Sequence, residues 1–463
     1  MKRMLLAALF GAALTGASFA QTTPLTFTVT VRPAQPPTPA LKYMLMPELK
    51  DMTKGNALLR YYKGFSTEWW GNINRQNAQW HENASKATEA PLDKLPAEYS
   101  FVKTWAMLKE VDRGARMDHC DWEFLENLRL DGFAALLPDV QGMRNFAMYL
   151  ALRARYELAD GDIDKCIYTL QTGFALAKHV GEGPTLIHML VGVAISQVMA
   201  KQLDELIQHP KCPNLYWALA RLPRPYIDLR KPFQGEMMIT ATLFPEFEEL
   251  KRGPLPLDQA QKYMDEFIQR CRNWGIANIS PKDVTLQALS VYPKAKAALV
   301  AGGRAQAEVD AMPVPQVLLL HSAEEHYRMR DELFKWAPLP YFEAYPGMNK
   351  VVESYQALKA RGDVLQLVYE LAPATQKVMH ANVRADRRFA MLRVVEALRL
   401  YAAGHDGGLP AKLTDVTKVP IPLDPSTGRP FEYSVTGNKA TITGPATGEA
   451  AYLAMVYEVT IKK

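Results

Sequence analysis

Residues 179–185, His-Val-Gly-Glu-Gly-Pro-Thr, carry side chains that can perform acid–base chemistry. His179 and Glu182 form a candidate acid–base pair, and a helix that begins at Pro184 would offer free N–H groups to an anion. The alternative is a structural turn, in which His179 lies at the C-terminal end of the preceding helix, where a cation is favoured. His188 follows the loop between two apolar residues, which is typical of a buried histidine. We take His179, Glu182 and His188 as candidate catalytic residues and leave both interpretations open.

The run Asp118-His119-Cys120-Asp121 holds the residue types of a thiol active site within four positions. Catalytic cysteine and histidine usually meet across space rather than along the chain. Adjacent side chains on a helix also point about 100° apart. A helix start that is capped by Asp118 is therefore the favoured interpretation.

His321 and His326 are separated by five positions on a predicted helix. Zinc-binding helices place two histidines four positions apart, on one face. A step of five rotates the second histidine by about 140° from the first. Glu325 could pair with His321, but an exposed polar helix face is favoured, and we predict no metal site.

The four cysteines are Cys120, Cys166, Cys212 and Cys271, and none has CxxC spacing. They allow three disulfide pairings, and buried free thiols are the equal alternative. Cys166 lies between Ile163 and Ile167, which favours a thiol in the core. The sequence also lacks GxSxG, a Walker loop, a dinucleotide fingerprint and HExxH. We predict no cofactor.

The composition excludes some classes of partner. Of the 463 residues, 48% are hydrophobic, so the chain can bury large cores. The formal charge is +5, or +3 without Lys2 and Arg3, which is too small to favour nucleic acid. No run reaches the ~18–20 uninterrupted apolar residues of a membrane span. We therefore expect no transmembrane helix after removal of the signal peptide.

Residues 1–20 have the pattern of a secretory signal peptide. Lys2 and Arg3 precede a short apolar run, and Ser18 and Ala20 are the small residues of a cleavage site. The expected location is the periplasm or the cell surface.

Apolar periodicity predicts a mainly helical fold. Within 143–208 three helices follow one another, broken at Asp160-Gly161-Asp162 and at the Gly-Glu-Gly-Pro loop. We predict a strand and proline-rich linker over 21–40, a helical domain over 41–290 and a second helical region over 291–403. A small β module over 404–463 should pack on the helix 375–403, with a hairpin across Thr436-Gly437-Asn438 and a last strand near 452–461.

Three resemblances follow from these patterns. Residues 154–180, with Gly-Asp at the turn, resemble a tetratricopeptide-type (TPR-like) helical hairpin. Residues 391–433 resemble the soluble part of a type II secretion major pseudopilin, through His405, Pro410, Asp424-Pro425, Gly428, Pro430 and Tyr433 among others. The prepilin cleavage motif, membrane helix and acidic calcium loop of that family are missing, so neither assembly nor metal is implied. Segments such as CDWEF and QTGFALAKHVGEGPTLI resemble a family of exported bacterial proteins with no assigned function.

The predicted fold class is therefore a TPR-like array of helical hairpins with a small C-terminal, pseudopilin-like α+β module. The favoured function is an exported helical scaffold that binds a protein or a cell-envelope partner. The alternatives are an exported hydrolase with a site near His179 and Glu182, and a component associated with a secretion apparatus. A binding protein is favoured over an enzyme because no catalytic motif converges.

We expect the mature protein to begin at Gln21, since the small residues Ser18 and Ala20 place the cut there. Peptide mapping of the protein from its native cells tests this. Recovery of an intact Met1 peptide from cytoplasmic protein would contradict it.

Overall fold

The computed structural model describes residues 24–65, 78–131, 137–273, 281–365, 375–447 and 453–462. The predicted signal peptide, residues 1–20, lies outside these residues. Contacts divide the chain into two compact units. The helical unit comprises the described parts of Glu123–Leu137 and Phe233–Lys377, and the mixed unit those of Ala13–Trp122, Pro138–Pro232 and Val378–Lys463. Residues 41–290, expected as one helical domain, contribute to both units.

The structure is mainly helical with a small sheet. The helices are α1 Ala57–Phe65, α2 Ala78–Ala87, α3 Ala106–Ala115, α4 Phe124–Asp131, α5 Leu137–Ala159, α6 Ile163–Gly181, α7 Leu186–Gln208, α8 Tyr216–Ala220, α9 Arg230–Leu243, α10 Glu246–Glu249, α11 Leu257–Asn273, α12 Pro281–Ala301, α13 Gln306–Ala311, α14 Val314–Phe334, α15 Tyr341–Arg361 and α16 Thr375–Ala402. The strands are β1 Leu25–Val31, β2 Thr53–Asn56, β3 Met117–His119, β4 Glu432–Thr436, β5 Lys439–Gly444 and β6 Met455–Ile461.

The prediction of three consecutive helices over 143–208 is confirmed by α5, α6 and α7. Asp162 caps α6, since its carboxylate accepts the N–H of Lys165. The predicted start of α7 at Pro184 is wrong. Thr185 is the cap instead, and its hydroxyl accepts the N–H of His188 at 3.2 Å. That hydroxyl therefore takes one of the N–H groups that an anion would need.

The four-stranded sheet of the mixed unit has the order β1-β6-β5-β4. The predicted hairpin is confirmed: β4 and β5 are antiparallel around Gly437, which has a φ of +60°. The strand predicted within residues 21–40 is also confirmed, as β1, Leu25–Val31. It pairs in parallel with β6, from Leu25 opposite Met455 to Val31 opposite Ile461. The first described strand thus completes the C-terminal sheet.

Buried arginines of α16 connect this helix to the rest of the mixed unit. Arg387 donates two hydrogen bonds to the carboxylate of Asp424, at 2.9 and 2.7 Å, and both side chains are fully buried. Arg388 reaches Asp204 of α7 at 2.5 Å. Arg399 pairs with Glu396 and donates to the carbonyl of Cys212 at 2.9 Å. Because buried charges must be paired, these contacts fix the position of α16.

The helical unit has its own apolar core, in which α14 is central. His321 and His326 are both buried in α14. The Nε2 atom of His321 lies 3.1 Å from the carbonyl of Asp363, and that of His326 lies 3.2 Å from the hydroxyl of Thr240. The expected exposed polar face is therefore wrong, because packing surrounds this helix. Glu325 pairs with Arg328 rather than with His321.

Among the described residues, α7 is long and apolar enough to cross a membrane. However, 67% of its most apolar stretch of 18 residues is buried inside the protein. Glycines allow close packing on α6, since a Cβ on Gly192 would clash with the backbone of Gly181.

We expect Asp424→Ala to lower the free energy of unfolding by roughly 3–5 kcal/mol, since it leaves the Arg387 guanidinium buried without its carboxylate. Urea denaturation measures this. Glu82→Ala is the matched control, because Glu82 and Lys86 form an exposed ion pair, and exposed pairs contribute little. Equal losses in the two variants would contradict the prediction.

Candidate functional site

His179 lies in the last turn of α6 and is held by two other parts of the mixed unit. Its Nδ1 atom lies 2.8 Å from the hydroxyl of Tyr61, a fully buried side chain of α1. Its carbonyl oxygen accepts a hydrogen bond of 3.2 Å from the indole N–H of Trp122. The imidazole is therefore positioned by contacts within the fold.

His188 lies in the first turn of α7 and is fully buried. Its Nδ1 atom is 2.7 Å from the hydroxyl of Thr185. The edge of the ring meets Trp122, with ring centroids 4.6 Å apart. A side chain on Gly183 would clash with this imidazole, so Gly183 is needed for the close approach of the loop. Trp122 thus contacts both His179 and His188.

Glu182 does not pair with His179, although the sequence suggested an acid–base pair. Its carboxylate forms an ion pair with Lys178, one helical turn earlier. The structure therefore brings His179 and His188 together around Trp122 but joins Glu182 to a lysine.

Asp386 is a carboxyl group that the sequence analysis missed. It lies on α16, and its Oδ1 atom accepts the N–H of Tyr226 at 2.9 Å. Burial raises the pKa of Asp386 to about 7. Only folding brings Tyr226 and Asp386 together across 160 positions, so spacing along the chain gives no signal for this pair.

The segment around Cys120 is extended, so the predicted helix start at Asp118 is wrong. Asp118 lies in β3, which pairs with β2. Its carboxylate accepts the N–H of Gly55 at 2.9 Å and lies 2.8 Å from Nδ1 of His119. Burial raises the pKa of the Cys120 thiol to about 12, which leaves it protonated and unsuited to nucleophilic attack at pH 7.

All four cysteines are free thiols, which answers the question that the sequence left open. Cys166, Cys212 and Cys271 are buried, so the prediction of Cys166 as a thiol in the core is confirmed. Within the described ranges, no three or more His, Cys, Asp or Glu residues are grouped so that they could hold a metal ion.

Burial also sets the protonation of the two candidate histidines. It is the main cause that lowers the pKa of His179 to about 4 and that of His188 to about 3. Lys178 lowers the pKa of His179 further, and Lys231 that of His188. Both imidazoles are therefore neutral at pH 7. A base with a pKa this far below the working pH has little driving force for proton abstraction.

A different surface of the mixed unit is open and apolar. We call it the C-terminal groove, and its volume is about 700 Å³. It is lined by Ala411, Lys412, Leu413, Thr414, Val416, Thr417, Val419, Pro420, Ile421, Pro422, Leu423, Pro430, Phe431 and Tyr433. Among these residues, Lys412 carries the one charged side chain. Apolar grooves of this size are typical of binding sites.

Two smaller grooves are more charged. One of about 500 Å³ in the mixed unit includes Glu48, Lys50 and Arg221 in its lining. One of about 390 Å³ in the helical unit is lined in part by Arg328 and Glu332. Their charges keep these surfaces hydrated, so the C-terminal groove is the better candidate for a binding surface.

No protein-family model, no curated protein and no solved structure matches this chain. The function is therefore inferred from the geometry of the described residues.

We expect His179→Asn to reduce the loss of unfolding free energy that occurs as the pH falls from 6.5 to 4. The pKa of His179 is about 4 in the folded protein against 6.5 for an unperturbed histidine. Folding therefore favours the neutral ring, and its contribution is present above pH 6.5 and lost as the pH falls towards 4. The wild type should lose up to about 1.4 kcal/mol more per pH unit than the variant in this window.

Urea denaturation at each pH provides the measurement, and the variant isolates the histidine from groups of opposite sign. One such group is Asp386, because its pKa is raised in the folded protein. Its contribution to stability is present at low pH and is lost as the pH rises towards 7. Above pH 7 the two profiles should be parallel. Parallel profiles down to pH 4 would refute the assignment.

Proposed function

We propose that this chain is an exported helical scaffold that binds a protein partner of the cell envelope through the C-terminal groove. The observation that carries this proposal is the groove itself, which is open, apolar and has a volume of about 700 Å³. Apolar surface gains free energy when a partner removes it from water, at roughly 25 cal/mol per Å². Exposed apolar patches of this kind mark interaction sites.

The groove is preformed by contacts on its far side. Val416 and Val419 are buried in a cluster with Ala397 and Leu400 of α16. The hydroxyl of Tyr216 donates to the carbonyl of Pro420. Residues 413–420 are thus held on α16 before any partner arrives. A preformed surface loses little conformational entropy on binding, which favours affinity.

Other residues of the groove are fixed in a similar way. The hydroxyl of Tyr433 donates to the carbonyl of Pro410 at 3.0 Å. The carboxylate of Asp415 accepts the N–H of Lys412 at 2.8 Å. Leu423, by contrast, is 55% exposed, and its side chain is free to contact a partner.

The hydrolase alternative has less support from the geometry. Glu182 is paired with Lys178, His179 with Tyr61, and His188 is buried against Trp122. A catalytic acid–base pair would need His179 and Glu182 to face one substrate. Both side chains already have partners within the fold.

The resemblances and the N-terminal pattern extend the proposal to the local folds of the chain and to its location. We infer that α5 and α6 form a TPR-like hairpin and that the segment from Met391 to Tyr433 is a pseudopilin-like module. The pattern of residues 1–20 supports export to the periplasm or the cell surface. The pseudopilin likeness supports the alternative that the chain is itself a component associated with a secretion apparatus.

We expect Leu423→Glu to abolish capture of the partner, because a carboxylate would be placed in the apolar groove. The wild-type protein and the variant are cross-linked in their own cell envelope, and the captured proteins are identified by mass spectrometry. Leu59→Glu is the matched control, since Leu59 is 64% exposed on α1 and is not part of the groove. A partner that all three proteins capture equally would show that the groove is not the binding surface.

A further inference from the structure

The two edges of the four-stranded sheet differ. Helix α7 lies against β1, and the side chain of Gln208 accepts the N–H of Thr30 at 3.0 Å. That edge is therefore partly covered. At the other edge β4 pairs with β5 alone, within the described residues. An uncovered edge strand is a template for another extended chain.

The hairpin determines which backbone groups of β4 face outward. Its two-residue loop places Thr436 opposite Lys439. In a two-residue hairpin the residues that flank the loop exchange hydrogen bonds, and this alternates along the strand. Glu432, Ser434 and Thr436 therefore bond to β5. The N–H and C=O groups of Tyr433 and Val435 point away from the sheet.

These outward groups have no protein partner among the described residues. Tyr433 donates a hydrogen bond to the carbonyl of Pro410, but through its side-chain hydroxyl. Val435 lies opposite Ala440 of β5 as a non-hydrogen-bonded pair, so its backbone groups do not bond to β5. Two N–H donors and two C=O acceptors are therefore open to a fifth strand.

The open edge continues into the C-terminal groove. Pro430, Phe431 and Tyr433 line the groove, and β4 begins at Glu432. A chain that pairs with Tyr433 and Val435 would extend past Glu432 into the groove. Its side chains alternate between the two faces of the sheet. Every second side chain near that end would then enter the apolar surface.

Charge indicates which further side chain the bound segment should carry. Among the groove residues, Lys412 is the single charged side chain. The nearby carboxylate of Asp415 accepts the backbone N–H of Lys412 at 2.8 Å and forms no ion pair with its ammonium group in the described structure. A carboxylate on the bound chain would complement it. Glu432 is exposed on β4 and lies outside the groove lining, and it would repel a carboxylate on a neighbouring strand. The acidic residue of the bound segment therefore belongs at the groove end.

We propose that β4 binds an extended segment of a protein partner by strand addition. The segment forms a fifth strand on Tyr433 and Val435, places apolar side chains in the groove and sets a carboxylate against Lys412. This inference rests on the proposed binding function and names the chemical class of the partner segment. Strand addition supplies affinity through main-chain hydrogen bonds and specificity through alternate side chains.

The test uses a displayed library of random twelve-residue peptides, selected on the purified full chain. The enriched peptides should have alternating apolar residues and an Asp or Glu towards one end. Val435→Pro removes an outward N–H without removing a bond to β5. This variant should bind the enriched peptides with an affinity at least about tenfold lower. Val435→Thr retains that N–H and should bind like the wild type.

A second variant keeps the test valid if Val435→Pro fails to fold, which circular dichroism would reveal. Lys412→Glu should lower the affinity for the acidic peptides about fivefold. It should raise the affinity for versions in which lysine replaces the acidic residue. Peptides that lose binding to Leu423→Glu but bind Val435→Pro and Lys412→Glu normally would overturn strand addition and leave the groove as the binding surface.

A second copy of the chain is the competing occupant. Sedimentation velocity of the wild type and of Val435→Pro separates the two cases. A wild-type dimer that the proline variant abolishes would show that β4 pairs with its own copy, which overturns the proposal. A monomer at every concentration, together with peptide binding, supports it.

Discussion

A guanidinium group that is buried away from water needs oxygen acceptors, and α16 places four such groups inside the mixed unit, those of Arg387, Arg388, Arg393 and Arg399. Arg387, Arg388 and Arg399 each reach a different part of the chain. The desolvation cost of one buried ion is several kcal/mol, so each position is tolerated only where its partners stand in the right place. The groove depends on Arg387, because its partner Asp424 directly follows Leu423, the last residue of the first of the two segments that line the groove.

The region of residues 179–188 illustrates how a motif can resemble an active site and still be held by structural contacts. Trp122 holds the backbone of His179 and the ring of His188, and Lys178 neutralises Glu182. His179, Glu182 and Nδ1 of His188 each have a partner within the fold, whereas Nε2 of His188 is buried without a hydrogen-bond partner among the described residues. The same residue types at the same spacing therefore serve an interhelical junction.

Local patterns in the sequence were sufficient for the elements that depend on near neighbours. The helices α5 to α7, the hairpin around Gly437 and the end of α16 follow from periodicity and turn residues. The burial of His321 and His326, the extended conformation at Asp118 and the pair of Arg387 with Asp424 depend on partners far along the chain. The groove was not visible in the sequence either, since it arises from two separated loop segments that meet beside β4.

The parallel pairing of β1 with β6 has a consequence for the order of folding. Thr28 and Glu458 are in contact although 430 positions separate them. A ribosome that emits about 5–20 residues per second exposes β1 tens of seconds before β6 exists. During that interval the alternating Leu-Thr-Phe-Thr-Val-Thr-Val segment has no strand to join and is a template for unwanted association. Closure of the sheet therefore has to wait until β6 is available, and a chaperone that shields residues 25–31 until then would protect the chain.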